Sequence, residues 1–273
     1  MTFKWLVYIL AGALVSCRGA VLEDREGCPS LLYFDLVNAG AFGAVDSVQV
    51  NAFRHPGDGL PVREATTVRS LESHHFYLDI RQADTVSGSG VLGVHEGRLK
   101  DGIHCTAAPG HQFDSLFRFS FLSAVEPESF IIPVEFVKEH CRITLQFLNA
   151  GDWSAGEASF PYDVVIRSGT CGIDVLSGIP VQGPFECLAR ELAPGSFQCI
   201  LPRQADGELL MELYGHEGQG LVHSFNLGSL LQETGVSWKE KNLPDVLVGV
   251  NIKTCQMQVE LTPWDQEDIE YEY

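Results

Sequence analysis

Histidine is the side chain best suited to acid–base chemistry or metal ligation near neutral pH. Three places set one beside a second reactive group: His74-His75, His104-Cys105 and His216-Glu217. Two ligands on one face of a regular element need a fixed spacing that none of these pairs has, and H-E-x-x-H is absent. His216 lies in Gly215-His216-Glu217-Gly218, which reads first as a turn between strands. There is no G-x-S-x-G elbow and no phosphate-binding G-x-x-x-x-G-K-[ST] loop. Acid pairs of the glycosidase kind arise by chance in a chain with 36 Asp and Glu residues. Nothing here marks an enzyme, and no residue is assigned to catalysis, a cofactor or a metal.

Thiols are the next candidates. Cys28, Cys105, Cys141, Cys171, Cys187, Cys199 and Cys255 all follow Cys17. Their number is odd, so not all of them can pair with one another, and no C-x-x-C spacing suggests zinc. Cys141 and Cys255 stand in phase with apolar strand residues and are expected as buried small hydrophobes. Cys187 and Cys199 are the disulfide candidates, closing a loop between two adjacent strands.

Cys17 has a different setting. One basic residue, Lys4, precedes an apolar run from Trp5 to Val15, the charged-then-apolar order of a secretory signal. The run is too short to stay in a bilayer as a helix. It ends in Leu14-Val15-Ser16-Cys17, which resembles the lipobox of bacterial lipoproteins. That resemblance implies removal of residues 1–16 and acylation of Cys17, and more than one acyl chain anchors a protein stably. An ordinary signal cleaved near Ala20 would instead discard Cys17. Arg18 rather than Asp follows the cysteine, which by resemblance to lipoprotein sorting in Gram-negative cells implies the outer membrane.

The remaining 257 residues suffice for two sandwich-sized domains. Lys and Arg number 18 against 36 Asp and Glu, a net charge of −18 that becomes −19 once Lys4 leaves. Such a surface repels nucleic acid and does not adhere to anionic headgroups, so the lipid must supply the membrane contact.

Arg18 to Gly27 reads as a tether (17–27 with the cysteine), and strand patterns begin after Cys28-Pro29. Alternation places Val48, Val50 and Ala52, then Phe76, Leu78 and Ile80, then Phe117, Phe119 and Phe121, on inward faces. Phe130 to Phe136 carries Pro133, which marks an edge strand or a bend. Cys141, Ile143, Leu145 and Phe147 form the clearest alternation, and the Gly-rich Asn149 to Ser159 follows as the expected break between domains 28–151 and 152–273. A second strand series occupies Tyr162–Ile166, Gly172–Leu176, Phe197–Leu201, Leu209–Tyr214 and Val222–Leu227, and Gly228 to Gly235 has room for one helical turn. Val246, Val248, Val250 and Ile252 share a face. The phase then slips at Lys253-Thr254, which requires a tight turn or bulge before Cys255, Met257, Val259 and Leu261. Many short strands with regular turn signals make the chain all-β, with two sandwiches in tandem.

The lipobox cysteine, the acidic pair Glu23-Asp24 before Gly27-Cys28-Pro29, the strand start Val45-Asp46-Ser47-Val48 and Trp264 after the final strand resemble, in that order, the FimB-type anchor and accessory subunits of type V fimbriae. The resemblance implies two tandem transthyretin-like β-sandwich domains, an outer-membrane lipoprotein and pilin subunits as partners. It also implies a role in attaching a pilus to the cell. Stalk subunits of that family are cut in their first strand by a trypsin-like protease, whereas an anchor keeps its lipid and that strand; Arg18 and Arg25 offer basic sites in the tether. A second reading is a surface lipoprotein that binds glycan or host protein through loops, with Trp153 or Trp238 as contacts. A third is a hydrolase without a readable motif.

The last nine residues, Asp265 to Tyr273, hold five acids and no base. Ile269, Tyr271 and Tyr273 alternate with Asp268, Glu270 and Glu272, the pattern of a half-buried strand. The resemblance implies donation of such a strand to a pilin groove. Pairing with its own domain, beside Cys255 to Leu261, is the alternative.

Overall fold

The computed structural model describes residues 30–43, 46–55, 62–80, 85–95, 98–125, 128–148, 160–216 and 220–262. The first strands in chain order are β1 (Ser30–Leu36), β2 (Ser47–His55), β3 (Val62–Thr67), β4 (Tyr77–Ile80), β5 (Thr85–Leu92), β6 (Leu99–Lys100), β7 (His104–Thr106), β8 (Phe117–Ala124), β9 (Ser129–Val134) and β10 (Val137–Lys138). They are followed by β11 (His140–Phe147), β12 (Tyr162–Asp174), β13 (Pro180–Leu188), β14 (Arg190–Ala193), β15 (Ser196–Pro202), β16 (Leu209–Gly215), β17 (Leu221–Asn226), β18 (Asp245–Asn251) and β19 (Gln256–Thr262). Two short helices, α1 (Val68–Glu72) and α2 (Leu227–Glu233), start where the Thr67 and Asn226 side chains accept the backbone N–H of Ser70 and Ser229.

The first sandwich packs the sheet β4-β1-β9 on the sheet β10-β8-β5-β2-β3. Its core is aromatic: the Phe34 ring of β1 lies 5.6 and 5.2 Å from Phe119 and Phe121 of β8. Those rings explain why two inward positions of β5 carry no side chain. Gly88 and Gly90 stand opposite Phe121 and Phe119, and a Cβ added at either would come within 2.4 or 2.1 Å of the facing ring. At these two inward positions the neighbouring strand supplies the volume, while Val86 and Leu92 fill the inward positions on either side. Pro133 falls on β9, an edge strand where its missing N–H breaks no ladder bond.

The second sandwich packs β14-β15-β11-β18-β19 on β17-β16-β12-β7-β6, with β13 also paired to β12. Here the expected division at 151/152 needs correction. β11 lies antiparallel to β15 and parallel to β18, and its Cys141, Ile143, Leu145 and Phe147 sit in the second core. The β6–β7 hairpin joins the same sandwich through β12, with Cys105 in that core. Asn149 to Ser159 therefore links two strands of one sandwich. Alternation shows that β11 is a strand with one buried face, but its partners are far away in sequence and leave no local mark.

The turn expected at Lys253-Thr254 joins β18 to β19. Cys255 is correspondingly not a core residue: it is exposed, at φ 52°, as the last residue of that turn. Cys141 is fully buried as expected. Cys187 and Cys199 are fully buried free thiols on β13 and β15, which belong to opposed sheets and are not adjacent strands. The expected loop closure between neighbouring strands is thus replaced by a thiol–thiol contact across the sandwich; burial first and the neighbouring Cys187 second push the Cys199 thiol well up.

Gly90→Val would force a branched side chain into the Phe119 ring and is expected to cost about 1–3 kcal/mol, visible as a lower thermal midpoint. An unchanged midpoint would contradict this packing.

Candidate functional site: the junction between the sandwiches

Between the apolar segments of β9 and β11 the sequence places three ionisable residues in a row, Lys138-Glu139-His140. They are 2 %, 1 % and 3 % exposed. Lys138 still pairs with Phe117 of the first sandwich, whereas His140 already pairs with Pro202 of the second, so the chain changes sandwich at Glu139.

Each of the three has polar partners, and Glu139 takes them from both sandwiches. Lys138 Nζ donates to Asp245 Oδ1 at 2.6 Å, and its backbone N–H to Asn242 Oδ1 at 2.9 Å. The Glu139 carboxylate takes Arg203 Nε at 2.5 Å on one oxygen and lies 2.8 Å from Arg118 Nε on the other. The Arg118 N–H does not point at that oxygen, so this second contact is an ion pair rather than a directed hydrogen bond. Arg203 spends its remaining N–H groups on main-chain carbonyls: Nη1 donates to Trp238 (2.5 Å) and Glu240 (2.7 Å), Nη2 to Lys138 (3.4 Å) and Lys241 (3.1 Å). One guanidinium thereby holds both the crossover and the loop before β18. A planar fork with five donors can do this where an ammonium cannot.

His140 donates Nδ1–H to the Leu116 carbonyl at 3.1 Å and meets the Phe117 ring edge-on at 5.2 Å. Burial, reinforced by Lys138 nearby, lowers its pKa from 6.5 to about 3. It is a neutral structural histidine.

Of the triplet only Glu139 reaches a cleft of about 590 Å³ between the two sandwiches, which is lined also by Arg118, Arg203, Gln204, Trp238 and the 239–241 loop. Gly178, at φ +76°, closes one side; a Cβ there would lie 1.9 Å from Arg118 Nη2. That backbone favours glycine, and any Cβ would push the Arg118 guanidinium off its place beside Glu139.

No family model matches the chain, and no curated protein matches it. Solved structures do. A Bacteroides thetaiotaomicron protein described as polysaccharide-binding aligns over 87 % of this chain and 96 % of its own, at TM-score 0.59 and 12 % identity. The fimbrial anchor protein Mfa2 from Porphyromonas gingivalis aligns over 87 % and 98 %, at TM-score 0.53 and 10 % identity. A candidate adhesin from Bacteroides thetaiotaomicron aligns over 87 % and 97 %, at TM-score 0.52 and 12 % identity. What they share with this chain is the fold. The expected all-β architecture of two tandem sandwiches stands, and the resemblance to fimbrial anchor and accessory subunits holds at that level.

Of the residues singled out in the sequence, the structure brings only Trp238 to the cleft. Cys17, Trp153, Ile269, Tyr271 and Tyr273 lie outside the described residues. His104 bonds Asp101 on the surface at 2.9 Å, His216 lies 3.4 Å from Asp163, and His74 occupies a positive-φ turn after α1. Among the described residues no three His, Cys, Asp or Glu side chains are grouped to hold a metal ion. Arg203, Glu139 and Arg118 escaped sequence reasoning. The one local signal was Lys138-Glu139-His140 itself, a polar triplet wedged between two strand patterns.

Glu139→Ala would leave two guanidiniums without their carboxylate, and removing one partner of a buried ion pair costs about 3–5 kcal/mol; a midpoint close to wild type would refute the clamp. His140 supplies a pH test. Its folded pKa of about 3 lies below the unfolded value near 6.5. The contribution is therefore complete above 6.5 and lost as pH falls toward 3, at about 1.4 kcal/mol per unit. His140→Gln keeps an N–H for Leu116 and should flatten the decline in thermal midpoint between pH 7 and pH 4.5.

Proposed function

We propose that this protein is a fimbrial anchor or accessory subunit, an outer-membrane lipoprotein held through Cys17 that joins pilin by strand exchange. The observation that carries this reading is the fold likeness to a fimbrial anchor over 98 % of that protein's length. Its location would be the cell surface, at a fimbrium.

The position of basic residues favours an anchor over a shaft subunit. β1 lies between β4 and β9 and sends Leu32, Phe34 and Leu36 into the core. Opening a groove there requires a cut between β1 and β2. No Lys or Arg occurs from Glu26 to Phe53, so a trypsin-like protease has no site in that interval. Cleavage at Arg18 or Arg25 would remove the lipid and leave the first strand in place. Such a subunit can give a strand but keeps its own groove filled. Segment 263–273 follows β19, the outermost strand of its sheet, which suits an outgoing strand with Ile269, Tyr271 and Tyr273 as the side chains received by pilin.

Cys17→Ala is expected to abolish labelling by a fatty-acid analogue and to release the protein, with any attached fibres, into the medium. A mature protein that starts beyond Cys17 and carries no label would sink the lipid anchor. Deleting 269–273 is expected to leave a stable, lipidated monomer that no longer holds fibres. Normal fibre attachment by this variant would exclude donation, and a large loss of stability would mean that the segment pairs with its own domain.

A further inference from the structure

The cleft between the sandwiches carries three unmet demands. First, Arg118 and Arg203 place two positive charges on one carboxylate, with side-chain exposures of 14 %, 10 % and, for Glu139, 2 %. The other buried cation of the junction, Lys138, is matched by Asp245, and Lys241 at the rim by Glu135. Lys239 and Glu240 at the mouth offset each other. The triad is left with one surplus positive charge in a protein whose formal net charge is −18. Second, Gln204, 3 % exposed, donates Nε2–H to the Pro202 carbonyl at 2.6 Å, while its buried Oε1 has no donor. Third, the buried Nε1 of Trp238 has no acceptor. Both residues line the same cleft.

An unpaired buried donor or acceptor is costly enough that a native structure ordinarily supplies it with a partner. A hydroxyl can do both jobs, accepting from Trp238 and donating to Gln204. A water could do as much but would leave the surplus charge. A bare carboxylate would balance the charge and, being acceptor-only, would leave Gln204 Oε1 unmet. A sugar that carries a carboxylate meets all three demands, and its C–H face packs well on an indole.

We propose that the cleft binds a uronic acid unit of an acidic oligo- or polysaccharide, its carboxylate drawn by the surplus charge of the triad and turned toward Arg118, since the N–H groups of Arg203 are already committed, and a ring hydroxyl seated between Gln204 and Trp238. The proposal stands on the junction alone and is independent of the fimbrial reading.

The test is calorimetric titration of the full chain with three uronate probes, namely oligogalacturonate, alginate oligomers and hyaluronan oligomers. A neutral galactose oligomer and polyglutamate serve as controls. At least one uronate should bind, more weakly as salt is raised, and neither control should match it. Trp238→Phe keeps an aromatic ring but removes the N–H together with part of the indole; it should weaken binding about tenfold in a protein that stays folded, with some loss of thermal midpoint from the packing removed. Gln204→Met, a second variant of similar size, should weaken binding to the same extent; it also removes the bond to the Pro202 carbonyl, so its thermal midpoint should fall modestly. Failure of all three uronates overturns the proposal. Equal binding of polyglutamate would show that the cleft reads charge alone, and equal binding of the neutral sugar that the cations take no part. Unchanged uronate affinity in both variants would place the site elsewhere.

Discussion

A carboxylate that is 1 % exposed must be surrounded by charge and hydrogen bonds or it cannot stay ionised at low cost. Glu139 stands where the chain passes from one sandwich to the other, and it meets that requirement with one arginine from each. The solution has a structural price. Arg118 has to be delivered from the outer face of β8 and Arg203 from the end of β15, so the two sandwiches are tied together by the electrostatics of one side chain. An apolar junction of similar area would be tolerant of sliding; a directed network of this kind holds one arrangement.

The rest of the junction follows from Arg203. With Nε committed to Glu139, its other donors reach the carbonyls of Lys138, Trp238, Glu240 and Lys241 and shape the 237–243 loop into a wall. Gly178 lets the β12–β13 turn come up against Arg118 from the other side. The cleft is what remains between them, and its polar lining is a consequence of how the crossover is neutralised. Ligand chemistry can thus be grafted on a structural necessity.

Fold and site differ in how far they can be compared. At 10–12 % identity the similar solved structures share a fold with this chain, and a fold depends on a pattern of buried and exposed positions that many sequences satisfy. A cluster such as Arg118, Glu139 and Arg203 depends on individual side chains. It therefore has to be argued from this molecule's own distances.

Period-two alternation is a property of neighbouring residues, so the sequence by itself determined the inward faces of β2, β8, β11 and β18, the β18–β19 turn at the phase slip, and the helical turn after Asn226. Pro133 marked its edge strand in the same local way. Strand pairing is not local. Only the tertiary structure decided that β11 lies between β15 and β18, that β6 and β7 join the second sandwich, and that Cys187 and Cys199 face each other from opposed sheets. It also decided that Gly88 and Gly90 form a core strand, because the volume they lack is supplied by Phe121 and Phe119 across the ladder. Lys138-Glu139-His140 interrupts two strand patterns, but its meaning lies in partners up to 107 residues away that a local pattern cannot name.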